Sequence, residues 1–354
     1  MSGNPSHARP RQFTRPLDIA TGRVEMTHGG GGRAMAQLVA ELFQVALDNP
    51  ILAQGNDAAL LPRADGRLVM STDAYVVSPL FFPGGDIGSL AVHGTINDVA
   101  MSGARPLYLS AAFILEEGLP LADLARIVAS MARASREAGV PIVTGDTKVV
   151  ERGKADGLFI TTTGVGVVAD GLLIAGDAIR PGDAILLSGS IGDHGIAILS
   201  QREGLAFSTP IESDSAALHG LVAAMVAAVP EICCLRDPTR GGLSATLNEL
   251  ATQSEVGLVI EEDAIPVKPV VRGACEILGL DPLGIANEGK LIAFCPPERA
   301  ETLLAVMRAH PLGRDSAVIG TAIEDPRNFV RLRTALGTER VVDWMFGTQL
   351  PRIC

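Results

Sequence analysis

Four aspartates lie in small, polar settings in which a carboxylate suits metal chemistry. Each one alone is more commonly a turn or capping residue. Several converging carboxylates would raise one another's pKa unless a hard cation lay between them. The set predicts a Mg²⁺ site, and its members are Asp57 (Gly-Asn-Asp), Asp73 (Ser-Thr-Asp), Asp98 (Asn-Asp-Val-Ala) and Asp146 (Gly-Asp-Thr-Lys).

Two further segments suit a phosphate group. Lys148 follows Asp146 by two positions, so both side chains share a face if the segment is extended. A cation at that position can stabilise the charge that develops in phosphoryl transfer. The run from His28 to Arg33 places four glycines before an expected helix, where unhindered backbone N–H groups bind anions. An ordinary surface lysine and a flexible linker are the alternatives.

The second half of the sequence contains three short polar motifs. We interpret Gly192-Asp193-His194-Gly195 as a tight turn after a strand. Asp237-Pro-Thr-Arg-Gly-Gly opens an expected helix and offers an anion site with Arg240 as donor. Asn287-Glu288-Gly-Lys opens an expected strand, and Glu288 can serve as a general base. As an isolated string, each motif is more often a turn than a catalytic element.

The chain ends in Pro-Arg-Ile-Cys, so Cys354 is the last residue. Its own carboxylate disfavours the thiolate unless a cation such as Arg352 offsets it. Trp344 looks like an anchor for a short mobile tail. The seven residues from Thr348 to Cys354 span at most about 24 Å when extended. A frayed, unimportant end is the alternative.

These residues must be positioned by a chain of 354 residues, which is long enough for two domains. Hydrophobic residues make up 47% and charged residues 19%, which excludes general disorder. The net charge of −11 argues against a nucleic-acid binder. We expect no membrane span, because no apolar run approaches the required length. Five cysteines without a C-x-x-C pair favour the reducing cytoplasm, with Cys275 and Cys295 buried.

Helical and strand patterns alternate along the chain. We expect a flexible arm over 1–27, a first domain over 28–169, a second over 170–340, and a mobile tail over 341–354. The expected helices cover 34–47, 86–102, 121–139, 214–228, 243–252 and 298–309. The expected strands cover 68–77, 107–115, 140–144, 158–168, 184–188, 257–261 and 290–294. This mixture predicts an α/β (α+β) protein, and the absence of G-x-x-x-x-G-K-[ST] and G-x-G-x-x-G disfavours the two common nucleotide-binding folds.

Taken together, the motifs resemble those of the HypE family of hydrogenase maturation proteins. This family lies in the superfamily of aminoimidazole ribonucleotide synthetase, thiamine-phosphate kinase and selenophosphate synthetase. The similarity extends from about His28 to Cys354. It is carried by Phe-Phe-Pro-Gly-Gly-Asp-Ile-Gly (81–88) with Asn97-Asp98, by Gly-Asp-Thr-Lys (145–148), by the motifs at 237–242 and 287–290, and by the terminal cysteine.

The resemblance implies two α/β domains, a homodimer paired through the N-terminal halves, and ATP bound near that interface. The four aspartates would hold Mg²⁺ against the phosphates, and the catalytic residues would be Cys354, Lys148 and Glu288. We expect the ATP contacts to come from His28, Gly30, Gly31, Gly32, Asn97, Thr147 and Arg240.

The resemblance also implies a reaction. Cys354 would receive a carbamoyl group from the partner HypF, and ATP would phosphorylate the carboxamide oxygen. Loss of phosphate would leave a thiocyanate, whose cyano group would pass to iron on a HypC–HypD complex. Two alternatives stay open: a small-molecule kinase or synthetase of the same superfamily, and a nucleotide-sensing scaffold that leaves Cys354 unchanged.

Overall fold

The first half of the chain builds a four-stranded sheet with helices on one face. The computed structural model describes residues 13–205, 210–344 and 352–354. A π-helical segment, Val39–Phe43, joins the first two helices. In chain order, the elements are α1 Arg33–Leu38, α2 Gln44–Ala46, β1 Arg67–Tyr75, β2 Phe81–Phe82, β3 Gly85–Asp86, α3 Ile87–Ala100, β4 Arg105–Glu116, α4 Leu121–Ala138, β5 Ile142–Val150 and β6 Leu158–Val168.

The sheet order is β1-β6-β4-β5, and only the β4–β5 pair is parallel. Helix α3 packs across its inner face and starts where Asp86 accepts hydrogen bonds from the backbone of Gly88 and Ser89. Gly139 ends α4 with a φ of +68°. The outer face of the sheet is exposed, and Leu68 and Met70 on β1 are both 72% accessible.

The second half builds a seven-stranded sheet, ordered β13-β12-β9-β11-β7-β10-β8, with helices on both faces. Along β7, Ile185 and Leu187 pack towards α7, whereas Leu186 packs towards α6 and α9, which is the alternation of a strand covered on both sides. Its elements are β7 Ala184–Leu187, α5 Asp193–Glu203, α6 His219–Ala228, β8 Cys234–Arg236, α7 Gly242–Gln253, β9 Gly257–Glu261, α8 Pro269–Leu278, β10 Ile292–Cys295, α9 Ala300–Ala309, β11 Ala317–Ile323, β12 Val330–Arg333 and β13 Glu339–Val341.

Several local expectations need correction. The Gly145–Lys148 motif lies inside β5 instead of following it, because the parallel ladder with β4 continues to Val150. Asp193 and His194 form the first turn of α5 instead of a tight turn. The expected helix over 214–228 begins only at His219. Cys275 and Cys295 are buried, as expected.

The chain termini also differ from expectation. The arm expected over 1–27 is packed at its end, because Val24 is 1% exposed and Arg23 bridges to Pro120. Trp344 is 46% exposed and is no anchor, whereas Val342 is buried in the second core. Residues 1–12 of the arm and 345–351 of the tail lie outside the described residues. No helix in the described part of the chain combines the length and hydrophobicity of a membrane span.

Candidate functional site

The last three residues of the chain are docked in a cleft between the two halves. Ile353 forms an antiparallel bridge with Val77. On either side of it, the backbone N–H groups of Val76 and Ser78 donate to the terminal carboxylate of Cys354 and to the carbonyl of Arg352 at 3.1 and 3.2 Å. The Ile353 side chain is 3% exposed and belongs to the core of the first half. The terminal cysteine is therefore held in a defined position.

Two side chains of α5 contact the main chain of the docked tail. His194 Nε2 lies 2.8 Å from the Ile353 carbonyl oxygen, and its Nδ1 lies 2.7 Å from the Ser213 hydroxyl. A carbonyl only accepts, so Nε2 carries the proton. Burial lowers the pKa of His194, which favours this neutral tautomer. Arg202 donates to the Arg352 carbonyl oxygen at 2.7 Å and also to the Ser78 carbonyl oxygen.

The Cys354 thiol lies next to the Glu288 carboxyl group. Burial raises the pKa of Cys354 far above its ordinary value, and the charge of Glu288 raises it further. The positive charge of Arg240 lowers the pKa of Cys354. Arg352 does not have the expected role of offsetting the negative charge, because its guanidinium binds Asp156 at 2.6 Å instead. The docked cysteine is therefore a protonated thiol and a poor nucleophile.

Glu288 is the centre of a carboxylate cluster that includes Asp73, Asp98 and Asp237. Burial raises the pKa of Glu288 well above its ordinary value, and Asp237 is the strongest of the nearby charges that raise it further. Burial and the charge of Asp98 raise the pKa of Asp237 to about 7. Asp98 accepts a hydrogen bond from Ser71 at 2.8 Å. Glu288 Oε1 is buried and has no hydrogen-bond partner among the described residues, which leaves it available to a ligand or a proton.

The Glu288 backbone is fixed by two polar side chains. Asp214 accepts from the N–H groups of Glu288 and Gly289 at 3.0 and 3.3 Å and pairs with Lys290 at 3.1 Å. Burial alone would raise the pKa of Asp214, but the charge of Lys290 and the hydrogen bond from the Glu288 backbone outweigh it, so the pKa is lowered. Asn97, on α3, donates to the Glu288 and Ala216 carbonyls and accepts from Leu218 N. The amide of Asn97 is thus occupied in joining the two halves.

Asp146 and Lys148 lie together on the outer face of the first sheet. They form an ion pair of 2.5 Å along β5, which confirms the expected shared face. The pKa of Asp146 is lowered by the hydrogen bond from Lys148 and by that from the Thr147 backbone N–H. The Thr147 side chain, in contrast, is 5% exposed and points inwards. Asp146 is in register with Ala112 of β4.

The glycine-rich segment lies next to β5. Gly29 packs on Val149, where an added Cβ would lie 2.9 Å from the Val149 backbone N. Gly30, Gly31 and Gly32 are open, with no atom closer than 3.8 Å to an added Cβ. Gly31 and Asp57 line one cavity of about 1130 Å³ along α1 and α2. An anionic ligand can therefore approach the three free glycines without displacing other atoms.

The imidazole of His28 is occupied within its own turn. Its Nδ1 accepts from the Glu25 backbone N–H at 2.9 Å, and the residue is 7% exposed. Arg240, by contrast, is exposed at the start of α7. The adjoining Gly242 has a φ of +61°, and a Cβ there would come within 2.5 Å of the Ile285 carbonyl oxygen. This glycine lets the turn that carries Arg240 pack against the segment before Glu288.

The four predicted Mg²⁺ ligands do not lie together within one chain. Asp73 and Asp98 adjoin each other, with Asp73 in register with the buried Thr162 on the inner face of the sheet. Asp146 lies on the opposite face and three strands away, about 14 Å. No group of three or more His, Cys, Asp or Glu within the described residues can hold a metal. Carboxylate oxygens fit Mg²⁺ chemically, but Asp146 is separated from the Asp73–Asp98 pair by the sheet.

Four residues that face or support the tail were not among the predicted site residues. His194 and Asp237 stood in motifs that were noticed, and only their burial and contacts identify their roles. Arg202 and Asp214 had no sequence signal, because their partners lie 150 and 74 positions away.

Comparisons with known proteins identify the family to which the chain belongs. Residues 55–168 match the N-terminal domain and residues 180–333 the C-terminal domain of AIR synthase related proteins. The chain is 70% identical over 338 residues to carbamoyl dehydratase HypE of Azotobacter vinelandii, covering 96% of this chain and 99% of the relative.

Two solved structures extend the comparison. A hydrogenase maturation protein HypE in complex with ATP superposes with a TM-score of 0.90 at 55% identity, covering 93% of this chain and 99% of that one. The HypE chain of a HypE–HypF complex gives 0.77 at 48% identity, with 87% and 99% covered. The chain therefore belongs to the HypE family of carbamoyl dehydratases, within the AIR synthase related proteins.

Proposed function

We propose that this chain is an ATP-dependent carbamoyl dehydratase of [NiFe]-hydrogenase maturation, and that its substrate group is carried on its own Cys354. The observation that carries the proposal is the docked tail, which holds the Cys354 sulfur against Glu288 within a carboxylate cluster. A nucleotide-sensing scaffold would have no need to seat a thiol beside a buried acid. A small-molecule kinase would need that space for its substrate.

The reaction removes one water from an S-carbamoyl group and leaves a thiocyanate. ATP supplies the phosphoryl group that makes the carboxamide oxygen a leaving group. Two N–H protons must also be removed from the carbamoyl nitrogen. Glu288 is the base for this step, because its carboxyl group lies next to the thiol, its Oε1 has no partner among the described residues, and its raised pKa strengthens it as a proton acceptor.

Loading of the carbamoyl group requires a different position of the tail. A thiol attacks as its thiolate, and burial in the docked state opposes that form. We propose that the tail undocks to accept the carbamoyl group from HypF and docks again for dehydration. A relative solved together with HypF supports this partner. The cyano group then passes to iron on a HypC–HypD complex.

We further propose that two copies of the chain pair through the outer faces of their first sheets. This face is exposed, and it carries Leu68 and Met70 together with Asp146 and Lys148. Pairing would bring the phosphate-binding elements of one chain, namely the open glycines, Asp57, Asp146 and Lys148, towards the tail of the other. Mg²⁺ would then be held by carboxylates from both chains. Five free cysteines support a reducing compartment, the cytoplasm.

Intact-mass spectrometry tests the assignment of Cys354. With HypF, carbamoyl phosphate and ATP, we expect a carbamoyl adduct on the full-length chain that then loses the mass of one water. A non-hydrolysable ATP analogue should block the loss of water but leave an adduct that was formed beforehand.

The control is Cys354→Ser, which should accumulate no thiocyanate. An adduct that maps to Cys233, or one that never dehydrates when ATP is hydrolysed, contradicts the proposal.

A further inference from the structure

The docked tail is contacted mainly through its main chain. The carbonyl oxygens of Arg352 and Ile353 and the terminal carboxylate of Cys354 all accept hydrogen bonds, from Ser78 N and Arg202, from His194, and from Val76 N respectively. Both peptide carbonyls of this segment are therefore paired. Such recognition is that of a strand added to a sheet edge, in which backbone bonds supply affinity and one buried side chain supplies register.

The side chains of the tail contribute unequally. Ile353 is 3% exposed and fills the core beside Val77. Arg352 points the other way, and its ion pair with Asp156 joins two half-exposed side chains. Pairs of that kind contribute little. The cleft therefore selects for an apolar residue at 353 and for the main-chain carbonyls, and only weakly for the side chain at 352.

The two side chains from α5 are themselves held in place. His194 is fully buried, bonds to Ser213 and packs edge-on against the Phe82 ring at 5.6 Å, so its Nε2–H points only at the tail. The Arg202 guanidinium donates to the carbonyl oxygens of both Ser78 and Arg352. It therefore links the tail to residues 76–78, with which the tail pairs. Both residues are preorganised to receive the tail, although neither belongs to the carboxylate cluster.

We propose that His194 and Arg202 are positioning residues that form a peptide-binding subsite, with residues 76–78, for the last three residues of the chain, and that this subsite sets the Cys354 sulfur against Glu288. The inference deepens the proposed function, because the dehydration step is where the position matters. Binding of the tail at this subsite requires neither HypF nor the reaction.

Site-resolved alkylation tests the subsite. The full-length protein is pulsed with N-ethylmaleimide, with and without ATP and Mg²⁺, and labelling of Cys354 is read from the C-terminal peptide by mass spectrometry. Of the two conditions, with and without ATP and Mg²⁺, the one that gives the slower labelling of Cys354 is used for comparison. In it, Cys354 should react about tenfold more slowly than the same cysteine in a free peptide ending in Pro-Arg-Ile-Cys.

Arg202→Ala should raise the Cys354 labelling rate about tenfold in that condition, because bonds from a charged donor to two carbonyls are lost. Arg202→Lys should restore part of the protection. Arg352→Ala should change the rate less than about twofold, since its side chain holds only an exposed ion pair. Arg299→Ala, which breaks an exposed pair with Glu231, is the matched surface control.

His194→Gln and His194→Leu provide a second comparison, because glutamine retains an N–H donor and leucine does not. Thermal unfolding of each variant identifies any general loss of the fold. Labelling that is unchanged in Arg202→Ala, or raised more by Arg352→Ala, overturns the proposal. If the subsite is correct but Cys354 is not the carrier, these rates still change while the HypF-dependent adduct is missing.

Discussion

At the scale of single residues, the proposed chemistry depends on a buried carboxyl group that opposes ionisation of the docked thiol. Burial raises the pKa of Cys354 and of Glu288, and the charge of Glu288 raises the pKa of Cys354 further, whereas the Cys354 side chain lowers the pKa of Glu288. A carbamoylated sulfur has no ionisable proton, so an ionised Glu288 no longer opposes any charge on it. In the proposed reaction Glu288 then acts as the base on the carbamoyl nitrogen. We therefore propose that the docked thiol is a resting state and that the loaded state is the reactive one.

Glu288→Gln should slow dehydration about 100-fold or more while leaving carbamoylation intact. The amide has nearly the same shape, and Oε1 has no hydrogen-bond partner to lose among the described residues. With the unsubstituted protein, the single-turnover rate should fall as pH decreases through the Glu288 pKa, which lies above the ordinary carboxyl range because of burial and the charges of Asp237, Asp214 and Asp73. Quenched-flow sampling with intact-mass detection measures both effects.

Glu212→Gln is the matched control, because Glu212 is an exposed carboxylate on the segment that also supplies Asp214. Its dehydration rate and pH profile should equal those of the unsubstituted protein. Retention of the full rate by Glu288→Gln would remove Glu288 as the base and direct attention to Asp237, a neighbouring carboxyl group whose pKa is raised to about 7.

At the scale of elements, α3 of the first half of the chain makes direct contacts with the Glu288 segment of the second half. Its N-terminus is capped by Asp86, and farther along the helix Asp98 reaches the carboxylate cluster and Asn97 bonds the Glu288 carbonyl. Glu288 lies on the opposite half, 191 positions away from Asn97. A shift of this helix would therefore move the base relative to the docked tail, even if the tail cleft itself were unchanged.

Asn97→Ala should lower the free energy of unfolding by about 1–3 kcal/mol, since it removes the hydrogen bonds to the Ala216 and Glu288 carbonyls and the acceptor of the buried Leu218 N–H. Asn248→Ala is the matched control, because Asn248 is a buried helical asparagine that bonds the Ser244 and Val342 carbonyls within the second half. We expect similar losses in urea unfolding, but slower dehydration only for Asn97→Ala. Equal dehydration rates in both variants would reduce Asn97 to a stabilising contact.

Local sequence patterns predicted the elements better than the contacts between them. The start of the helix expected over 86–102, the end of the helix expected over 121–139 and the strand over 158–168 depend on neighbours within a few positions, and the structure has all three to within one residue. The turn expected at Asp193 was wrong, because a glycine before a polar pair looks the same whether a helix or a turn follows. His194 and Arg202 depend on partners 159 and 150 positions away, which spacing alone cannot reveal.

At the scale of the whole molecule, the predicted phosphate-binding residues and the docked tail lie on different sides of one sheet. Asp146 and Lys148 are on the outer face, and Gly29 packs on the next residue of β5, Val149. Asp73, near the thiol, is on the inner face and about three strand spacings away. A phosphoryl group bound at the first set therefore needs a second chain, or a large rearrangement, to reach Cys354.

Mixing two inactive variants distinguishes these possibilities. Cys354→Ala has no carrier thiol, and Asp146→Asn is expected to lack phosphate binding. If each site combines the tail of one chain with Asp146 of the other, dimers exchanged between the two variants contain one intact site. Half of the dimers are then mixed and half of their sites work, so dehydration should recover to up to about a quarter of the unsubstituted rate.

The two variants differ in mass, so the thiocyanate can be assigned to a chain after mixing. It should appear on the Asp146→Asn chain, which keeps its thiol, and its yield should follow the fraction of mixed dimers measured by native mass spectrometry. Cys354→Ala mixed with Cys354→Ser is the control that cannot recover. If exchange is complete and the Asp146→Asn chain still accumulates only the carbamoyl adduct, Asp146 acts on the tail of its own chain. The outer sheet face would then have no catalytic role.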